Sequence, residues 1–396
     1  MIECRSNKAM FEQIIQKRFL TSLEQVRFGS IEVTTPSGQI HIFEGSELGA
    51  KADFHLESWS VVANLASKGE VGFASDYRDG LWNTSNLEAL ITFSLENEEH
   101  LTGFIEGNWL SRIGARIGYL LNSNSLRGSK RNIHAHYDLG NEFYSLWLDS
   151  TMSYSSALYL DPNEPIAVAQ ENKYDRLLDR IEDPSGSILE IGCGWGGFAE
   201  RAITRNDREI KGVTLSKEQL DFASKRLNGS ADFAFQDYRH IQGKFDNIVS
   251  IEMFEAVGIK YWNSYFSQLR RLLKTGGKAL VQSIVIEEKH FESYRKGSDM
   301  VRSFIFPGGM LPSVERFEKT AQEGGMETKD VFLFGHDYAR TLRVWLKNFD
   351  ANIAEVRSLG FDESFIRIWR YYLGSCAASF QTGRINVGQF ELQAAR

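Results

Sequence analysis

The sequence of 396 residues predicts an α/β domain built on a largely parallel sheet, preceded by a smaller α+β domain. The length exceeds that of one ordinary domain. After Pro184, strand and helix patterns alternate, which is typical of parallel strands joined by right-handed crossovers. The N-terminal part of the chain instead combines helical periodicity with a hairpin pattern. We therefore predict two domains, at residues 1–125 and 126–396.

The elements of the first domain follow from local patterns. Residues 10–30 have the spacing of a helix, and helical periodicity returns at 55–68 and 85–98. The segment SIEVTTPSGQIHIFEG alternates apolar and polar residues on both sides of a Pro-Ser-Gly turn, which predicts a β-hairpin.

A basic, amphipathic segment follows at residues 103–137. Its basic residues are not balanced by any acid between Glu106 and Asp138; they include Arg112, Arg116, Arg127, Lys130 and Arg131. Such a segment can lie on an anionic membrane surface, or it can be a connector with a solvated basic face. The formal net charge of −7 argues against non-specific nucleic-acid binding, so we expect no nucleic-acid partner.

The second domain begins with the strand and glycine-rich turn SILEIGCGWGG, followed by a helix to about residue 206. The next predicted elements are a strand at EIKGVTL, a helix at 216–228, strands at FAFQD and FDNIVSI, a helix at 259–274 and a strand at GKALVQSIVI. Two aromatic-rich helices are predicted near 338–356 and 363–380. A ligand site is expected at the carboxyl ends of the parallel strands.

The glycine-rich turn predicts the kind of ligand. Gly192, Gly194 and Gly197 satisfy a dinucleotide fingerprint, but no acid follows about 20 residues later to bind a ribose. Glu190 lies just before the first glycine, where a carboxylate attracts a cation. S-adenosyl-L-methionine (SAM) carries an ammonium and a sulfonium group and no phosphate, so the turn favours SAM. The alternative is that the glycines only allow a helix and a strand to pack closely.

Acidic residues end two further strands. Asp237 follows the third strand, where it either accepts a hydrogen bond from an adenine amino group or caps a turn. Glu252 and Glu255 follow the fourth strand. Glu255 lies among apolar neighbours, which makes it a candidate for charge stabilisation or proton transfer.

Other site classes are not indicated. Three widely spaced cysteines do not form a disulfide framework or zinc spacing, and we interpret the His134/His136 pair as part of the basic segment, so no metal site is predicted. No apolar run reaches the roughly 18 residues of a membrane span. We expect a cytoplasmic protein.

Several motifs together resemble one family. They are HYDLGNEFY, TMSYSSALY, ILEIGCGWGGFA, GVTLSKEQ, QDYRH, FDNIVSIEMFEAVG, FIFPGGMLPS and DYARTLRVW. The sequence resembles the cyclopropane-fatty-acyl-phospholipid synthase family of SAM-dependent fatty-acid and mycolic-acid methyltransferases. The resemblance implies a Rossmann-like methyltransferase domain, aromatic helices that bind an acyl chain, and an N-terminal domain facing phospholipid.

The resemblance also implies an activity, which is methylation of a cis double bond in an unsaturated phospholipid to give a cyclopropane fatty acyl phospholipid. The enzyme would then be cytoplasmic and peripheral on the inner face of the membrane, and a homodimer is compatible with this interpretation.

The resemblance assigns cofactor-binding residues. Those for the methionine end of SAM are Tyr154, Ser155, Glu190, Gly192 and Gly194. Those for the ribose are Thr214, Ser216 and Gln219, and those for the adenine are Asp237 and Tyr238.

The family also holds a bicarbonate ion that takes the proton. Here Glu255, Tyr338 and the backbone of Ile284 match three of its ligands. At the other two ligand positions, Ser156 replaces a cysteine and Gln282 replaces a histidine. Cys376 matches a further family cysteine, although a lone cysteine on an apolar helix is more often a packing residue.

The two departures leave the product open. An amide donates a hydrogen bond to an anion but does not titrate. The fate of the methylated cation is therefore open, and the product is either a ring or a methyl- or methylene-branched chain. The sequence is also compatible with a methyltransferase for a soluble small molecule and with a lipid-binding module that has no catalytic activity.

Overall fold

The structure is a computed structural model that describes residues 2–101, 139–181, 183 and 185–395. The predicted basic segment at 103–137, including its histidine pair, lies outside the described residues. The chain divides into two compact units. Among the described residues, unit 1 comprises those up to 101 with 293–305 and 357–382, and unit 2 comprises 139–292, 306–356 and 383–395.

The described strands are β1 (Phe28–Thr34), β2 (Ile40–Glu44), β3 (Glu47–Leu56), β4 (Trp82–Asn83), β5 (Ile188–Ile191), β6 (Ile210–Thr214), β7 (Asp232–Phe235), β8 (Phe245–Ile251), β9 (Leu273–Ile286), β10 (Met326–Leu333) and β11 (Ile385–Ala394). The described α-helices are α1 (Ile2–Leu23), α2 (Ser60–Arg78), α3 (Leu87–Glu96), α4 (Asn141–Ser145), α5 (Ile166–Asp179), α6 (Gly197–Asn206), α7 (Lys217–Leu227), α8 (Trp262–Leu272), α9 (Glu288–Lys296), α10 (Val314–Glu323), α11 (Gly335–Ala351), α12 (Ile353–Ser358) and α13 (Glu363–Gln381). Among the helices of the described residues, none has the length and hydrophobicity that a membrane span requires.

Unit 1 contains a four-stranded sheet in the order β2-β1-β3-β4. The predicted hairpin is confirmed as the antiparallel pair β1 and β2, but β3, which pairs parallel to β1, was not predicted. The alternation of apolar and polar residues in β3 is weak, because Ala50 and Ala52 precede the buried Phe54 and Leu56 and alanine is not a strand-favouring residue. Helix α1 also ends before the predicted residue 30.

Helix α13 packs in unit 1, although the sequence predicts it within the domain at 126–396. Its Tyr371 ring lies 6.3 Å from the ring of Trp82, which stacks on Phe73 at 4.2 Å. Arg367 of the same helix donates hydrogen bonds to the carbonyl oxygens of Tyr77 and Trp82. The aromatic side chains of α13 are therefore core residues of unit 1, and the predicted division at residues 125 and 126 remains a prediction.

Unit 2 contains a seven-stranded sheet in the order β10-β11-β9-β8-β5-β6-β7. Strands β5 to β9 run parallel, which confirms the predicted α/β fold. Strands β10 and β11 are antiparallel and were not predicted. The chain leaves β5 toward β6 on one side and later returns to β8 on the other, so the strand order reverses at β5 and β8. Ligand sites in open α/β sheets lie at such a reversal, beyond the carboxyl ends of the strands.

Candidate active site

A cavity of about 180 Å³ lies at the carboxyl ends of β5, β6, β7 and β8. Nine of the ten residues predicted to bind the cofactor line it: Tyr154, Ser155, Glu190, Gly192, Gly194, Thr214, Gln219, Asp237 and Tyr238. Glu252 lines the same cavity, whereas Ser216 does not. The fold thus brings one cluster together from segments that are far apart in the sequence.

The turn after β5 requires glycine at two of its positions. Gly192 and Gly194 have φ angles of 83° and 51°, in the left-handed region that side chains rarely adopt. The amide of Gly192 donates to the carbonyl oxygen of Val213 at 2.9 Å, which ties the turn to β6. Both glycines expose backbone to the cavity. This arrangement allows a ligand to approach the main chain closely.

Glu190 places an unpaired carboxylate oxygen in this cavity. The residue is only 3% exposed, and its Oε2 atom has no hydrogen-bond partner among the described residues. Burial raises the pKa of Glu190 well above its ordinary value, and the positive charge of Lys173 opposes that shift. A cationic ligand group would supply the missing partner. The site therefore fits the ammonium group of SAM.

The polar residues after β6 form one hydrogen-bonded group. Thr214 Oγ1 donates to Gln219 Oε1 at 2.8 Å and accepts from the amide of Ser216 at 3.1 Å. Ser216 in turn caps helix α7, because its hydroxyl accepts from the amide of Gln219 at 3.3 Å. Ser216 thus orients Gln219 instead of facing the cavity. Thr214 and Gln219 remain the candidates for a ribose contact.

Asp237 is paired with Arg239. The guanidinium donates to both carboxylate oxygens, at 2.9 and 2.6 Å. Burial alone would raise the pKa of Asp237, but the hydrogen bonds and charge of Arg239 lower it below its ordinary value. The group is an anion that still has free lone pairs. An adenine amino group would therefore share this carboxylate with Arg239.

Tyr154 and Ser155 form another part of the wall. The Tyr154 ring lies 5.3 Å from the ring of Trp147 and 5.5 Å from that of Trp345. Ser155 Oγ accepts a hydrogen bond from Lys173 Nζ at 2.6 Å. An aromatic face beside a buried cation site is suited to a sulfonium group.

Three of the predicted catalytic residues converge on Glu252 and not on Glu255. Oε1 of Glu252 accepts from the amide of Ser156 and from Nε2 of Gln282, both at 2.8 Å. Oε2 accepts from the hydroxyl of Tyr338 at 2.7 Å. The donors that the resemblance assigns to a bicarbonate ion are thus bound to a side chain of the protein itself.

Glu255 lies in a separate group of contacts. Its Oε1 atom accepts from the amide of Ile284 and, at 3.2 Å, from the hydroxyl of Ser283. Its Oε2 atom is buried without a hydrogen-bond partner among the described residues. Burial and the nearby charge of Glu252 raise the pKa of Glu255 to about 8. Glu255 is therefore protonated at neutral pH.

Lys173 was not predicted from the sequence, and it is fully buried on helix α5. Burial lowers its pKa to about 7, although the charges of Glu252, Asp149 and Glu190 oppose the shift. The sequence nevertheless contained a pattern that could have identified Lys173, because Gln170 and Lys173 occupy the same buried helix face as Leu177. Polar residues at apolar positions of a helix indicate buried polar contacts.

The backbone conformation also distinguishes Glu252 from Glu255. Glu252 has a φ angle of 49°, which is uncommon for a residue other than glycine. Strained backbone of this kind clusters at functional sites. The sequence places both acids after β8 but does not say which one faces the cavity.

Cys376 does not belong to this group. It lies on helix α13 in unit 1 and does not line the cavity of unit 2. Burial raises the pKa of its thiol, so the sulfur is not a ready nucleophile. Within the described ranges, no group of histidine, cysteine and acidic residues has the arrangement of a metal site.

The chain matches known proteins over most of its length. A family model described as mycolic acid cyclopropane synthetase matches residues 124–390. The chain is 34% identical over 348 residues to a tuberculostearic acid methyltransferase of Mycobacterium tuberculosis, covering 84% of this chain and 81% of the relative. It is 32% identical over 348 residues to a cyclopropane-fatty-acyl-phospholipid synthase of Escherichia coli, covering 86% of this chain and 87% of the relative.

A solved structure is also similar. The crystal structure of a mycolic acid cyclopropane synthase complexed with SAH and CTAB aligns with a TM-score of 0.63 at 30% identity. The alignment covers 67% of this chain and 98% of that chain.

Proposed function

This chain belongs to the mycolic acid cyclopropane synthetase family and is a SAM-dependent methyltransferase, and from that premise we propose that it methylates a cis double bond in an acyl chain of a membrane phospholipid. The product is a cyclopropane fatty acyl phospholipid or a related branched chain. The observation that carries the proposal is that Glu190 and Glu252 line one cavity. One carboxylate suits the cationic cofactor, and the other suits the reacting carbon.

The residues divide into groups with different tasks. Glu190 and the backbone at Gly192 and Gly194 hold the methionine end of SAM, and Tyr154 and Ser155 complete that end. Thr214 and Gln219 contact the ribose, with Ser216 positioning Gln219, and Asp237 with Tyr238 contacts the adenine. SAM supplies an electrophilic methyl group, and the task of the protein is to hold the alkene against it in the correct orientation.

A lipid substrate has consequences for where the enzyme works. We propose that it acts at the inner face of a bilayer as a peripheral protein, with its N-terminal domain toward the phospholipid. The basic segment at 103–137 is the candidate for that contact, because its charge complements anionic lipid. A homodimer is compatible with this arrangement.

A branched product is the second candidate. Gln282 occupies the position where the family's histidine was expected, and a tuberculostearic acid methyltransferase is among the relatives at 34% identity. Loss of a proton from the new methyl group closes a ring, whereas loss of a proton from a neighbouring chain carbon leaves a methyl-branched alkene. A methylene branch forms when a hydride first shifts from the methylated carbon to the cationic carbon and the methyl group then loses a proton.

The test is incubation of the full chain with SAM labelled in its methyl group and vesicles of a monounsaturated phospholipid. Vesicles of the saturated phospholipid with the same head group are the matched control. We expect label in lipid extracted from the unsaturated vesicles alone. Binding of SAM without transfer would support a lipid-binding module, and transfer to soluble acceptors without vesicles would support a small-molecule methyltransferase.

The same lipid extract distinguishes the products. Gas chromatography with mass spectrometry separates a cyclopropane chain from its branched isomers. A ring as the only product would remove the second candidate.

A further inference from the structure

Glu252 has the position of a reacting group. It follows the last residue of β8 at the reversal of the strand order, and its side chain lines the cavity shared with Glu190. Its backbone has a φ angle of 49°, a conformation that glycine adopts more readily. The amide of Glu252 is held by the carbonyl oxygen of Gln282 at 2.8 Å. The fold thus holds a carboxylate in an unfavourable backbone conformation at the ligand edge.

Three donors come to this carboxylate from distant parts of unit 2. They are the amide of Ser156, the side-chain amide of Gln282 and the hydroxyl of Tyr338, at 2.7 to 2.8 Å. Three hydrogen bonds to two oxygens favour the ionised form. Such a set of donors would bind any small oxyanion, and here Glu252 occupies it.

The orientation of Gln282 is set by its neighbours. Arg176 can only donate, and its Nη1 atom donates to Oε1 of Gln389 at 2.8 Å. Gln389 therefore presents its Nε2 atom to Oε1 of Gln282, at 3.0 Å. Gln282 is left to direct its own Nε2 atom at Glu252. The chain of hydrogen bonds that begins at Arg176 thus orients Gln282 as a donor to Glu252.

We propose that Glu252 is the proton acceptor of the methylation reaction and replaces a dissolved anion such as bicarbonate at this position. The inference rests on the proposed function and deepens it. Glu252 is then a catalytic residue, and the donors Ser156, Gln282 and Tyr338 position it.

The electrostatics support this assignment. Burial raises the pKa of Glu252 above its ordinary value, whereas the hydrogen bond from Tyr338 and the charge of Lys173 oppose the rise. A base is most effective when its pKa lies near the working pH. Glu255 is not an equivalent candidate, because it does not line the cavity and holds its proton up to about pH 8. The charge of Lys173 opposes the rise in the pKa of Glu252, whereas the charge of Glu252 adds to the rise in the pKa of Glu255.

The step balances without a further reactant. The π electrons of the alkene form the bond to the methyl carbon, and the sulfur–methyl bond breaks with its electrons going to sulfur. The other alkene carbon becomes cationic. Glu252 then accepts a proton either from the new methyl group, whose C–H electron pair forms the ring bond, or from a chain carbon next to the cation, whose C–H electron pair forms a new double bond. The protonated Glu252 returns its proton to solvent through the cavity.

The inference is tested by Glu252→Gly in CO₂-free buffer. Glycine suits the positive φ angle, and removal of the side chain leaves the three donors free to bind a small anion. We expect the wild-type protein to turn over equally with and without bicarbonate. We expect the variant to lose about 100-fold or more of the turnover and to recover part of it with bicarbonate or formate.

A binding measurement reports independently of activity. In ¹³C NMR, labelled bicarbonate should show a bound signal with Glu252→Gly and none with the wild-type protein. Calorimetric titration with SAM tests whether Glu252→Gly is folded. If Glu252→Gly does not fold, Glu252→Gln takes its place, because it keeps the size of the side chain, and we expect it to lose turnover to a similar extent.

A matched control is Glu391→Gln, which removes a carboxylate paired with Arg180 at 2.7 Å and with Lys278 at 3.0 Å outside the cavity. This variant should gain no response to bicarbonate. Bicarbonate-dependent turnover of the wild-type protein, or wild-type turnover by Glu252→Gln, would overturn the inference. Absence of transfer to any lipid by the wild-type protein would instead refute the proposed function.

Discussion

The hydroxyl of Tyr338, on helix α11, donates a 2.7 Å hydrogen bond to Oε2 of Glu252, at the end of β8. Tyr338 is buried, so the contact lies away from bulk solvent. This contact and the two donors to Oε1 are the basis for proposing Glu252 as the proton acceptor. These contacts and the charges near them lead to four predictions.

The first prediction concerns Tyr338→Phe, which removes the hydroxyl and keeps the ring. A hydrogen bond to a charged group contributes about 1.5–3 kcal/mol, so we expect turnover to fall by about ten- to a hundredfold. Tyr338 lowers the pKa of Glu252, and its loss should raise that pKa. Because the ionised form is active, the acid limb of the kcat/KM profile should move to higher pH. An unchanged acid limb, measured from pH 5 to 8, would contradict the role.

The second prediction concerns Gln389→Glu, which changes a residue that does not line the cavity. A carboxylate cannot donate to Oε1 of Gln282. The side-chain amide of Gln282 should then flip and present its oxygen to Glu252. Repulsion between the two oxygens would raise the pKa of Glu252. We expect kcat to fall while the Kd for SAM changes little. Gln389→Leu is the control, because it also removes the donor but adds no charge and should have a smaller effect.

The third prediction concerns Glu190→Gln, which replaces the unpaired carboxylate by a neutral amide of the same size. Loss of the attraction to the ammonium group should weaken SAM binding by about tenfold or more, equivalent to about 1.4 kcal/mol. Calorimetric titration with SAM measures the change. Glu218→Gln, at an exposed position of helix α7, is the control and should bind SAM as the wild-type protein does. Equal affinity of both variants would remove Glu190 from the cofactor site.

The fourth prediction concerns the pH dependence of stability through Glu255. The folded protein keeps the Glu255 proton up to a pKa of about 8, whereas the unfolded chain loses it near its ordinary value of 4.5. Between these values the folded state binds more protons, so the free energy of unfolding should fall as pH rises. Glu255→Gln stays neutral and should reduce this fall.

Thermal or urea unfolding between pH 5 and 7 measures this effect. The lower half of this interval lies below the range in which Lys173, with a pKa lowered to about 7, contributes a change of the opposite sign. The same steepness of the pH dependence in both proteins would show that Glu255 is ionised in the folded state.

Much of unit 2 was predictable from local patterns. Strands β5 to β9 carry apolar runs separated by helices and turns, and the positions of Glu190, Gly192 and Gly194 relative to β5 predict the turn that lines the cavity. Strand β10 was missed because most of its residues are only partly buried and its first half, apart from Met326, is polar. Strand β3 was missed because its alternation begins with the small residues Ala50 and Ala52, which give a weak strand signal. Sequence periodicity reports burial, so a strand that is not buried leaves a weak signal.

The parallel sheet, the glycine turn and the family could be recognised from the amino-acid sequence, because they depend on residues close together along the chain. The folded chain was needed to show which acid the donors reach and that helix α13 belongs to unit 1. Ser156, Gln282 and Tyr338 are far apart in sequence, and a hydrogen bond forms only when its atoms come within about 3 Å. The positive φ angle at Glu252 separates it from Glu255, three residues later, and no spacing in the sequence shows that turn of the backbone.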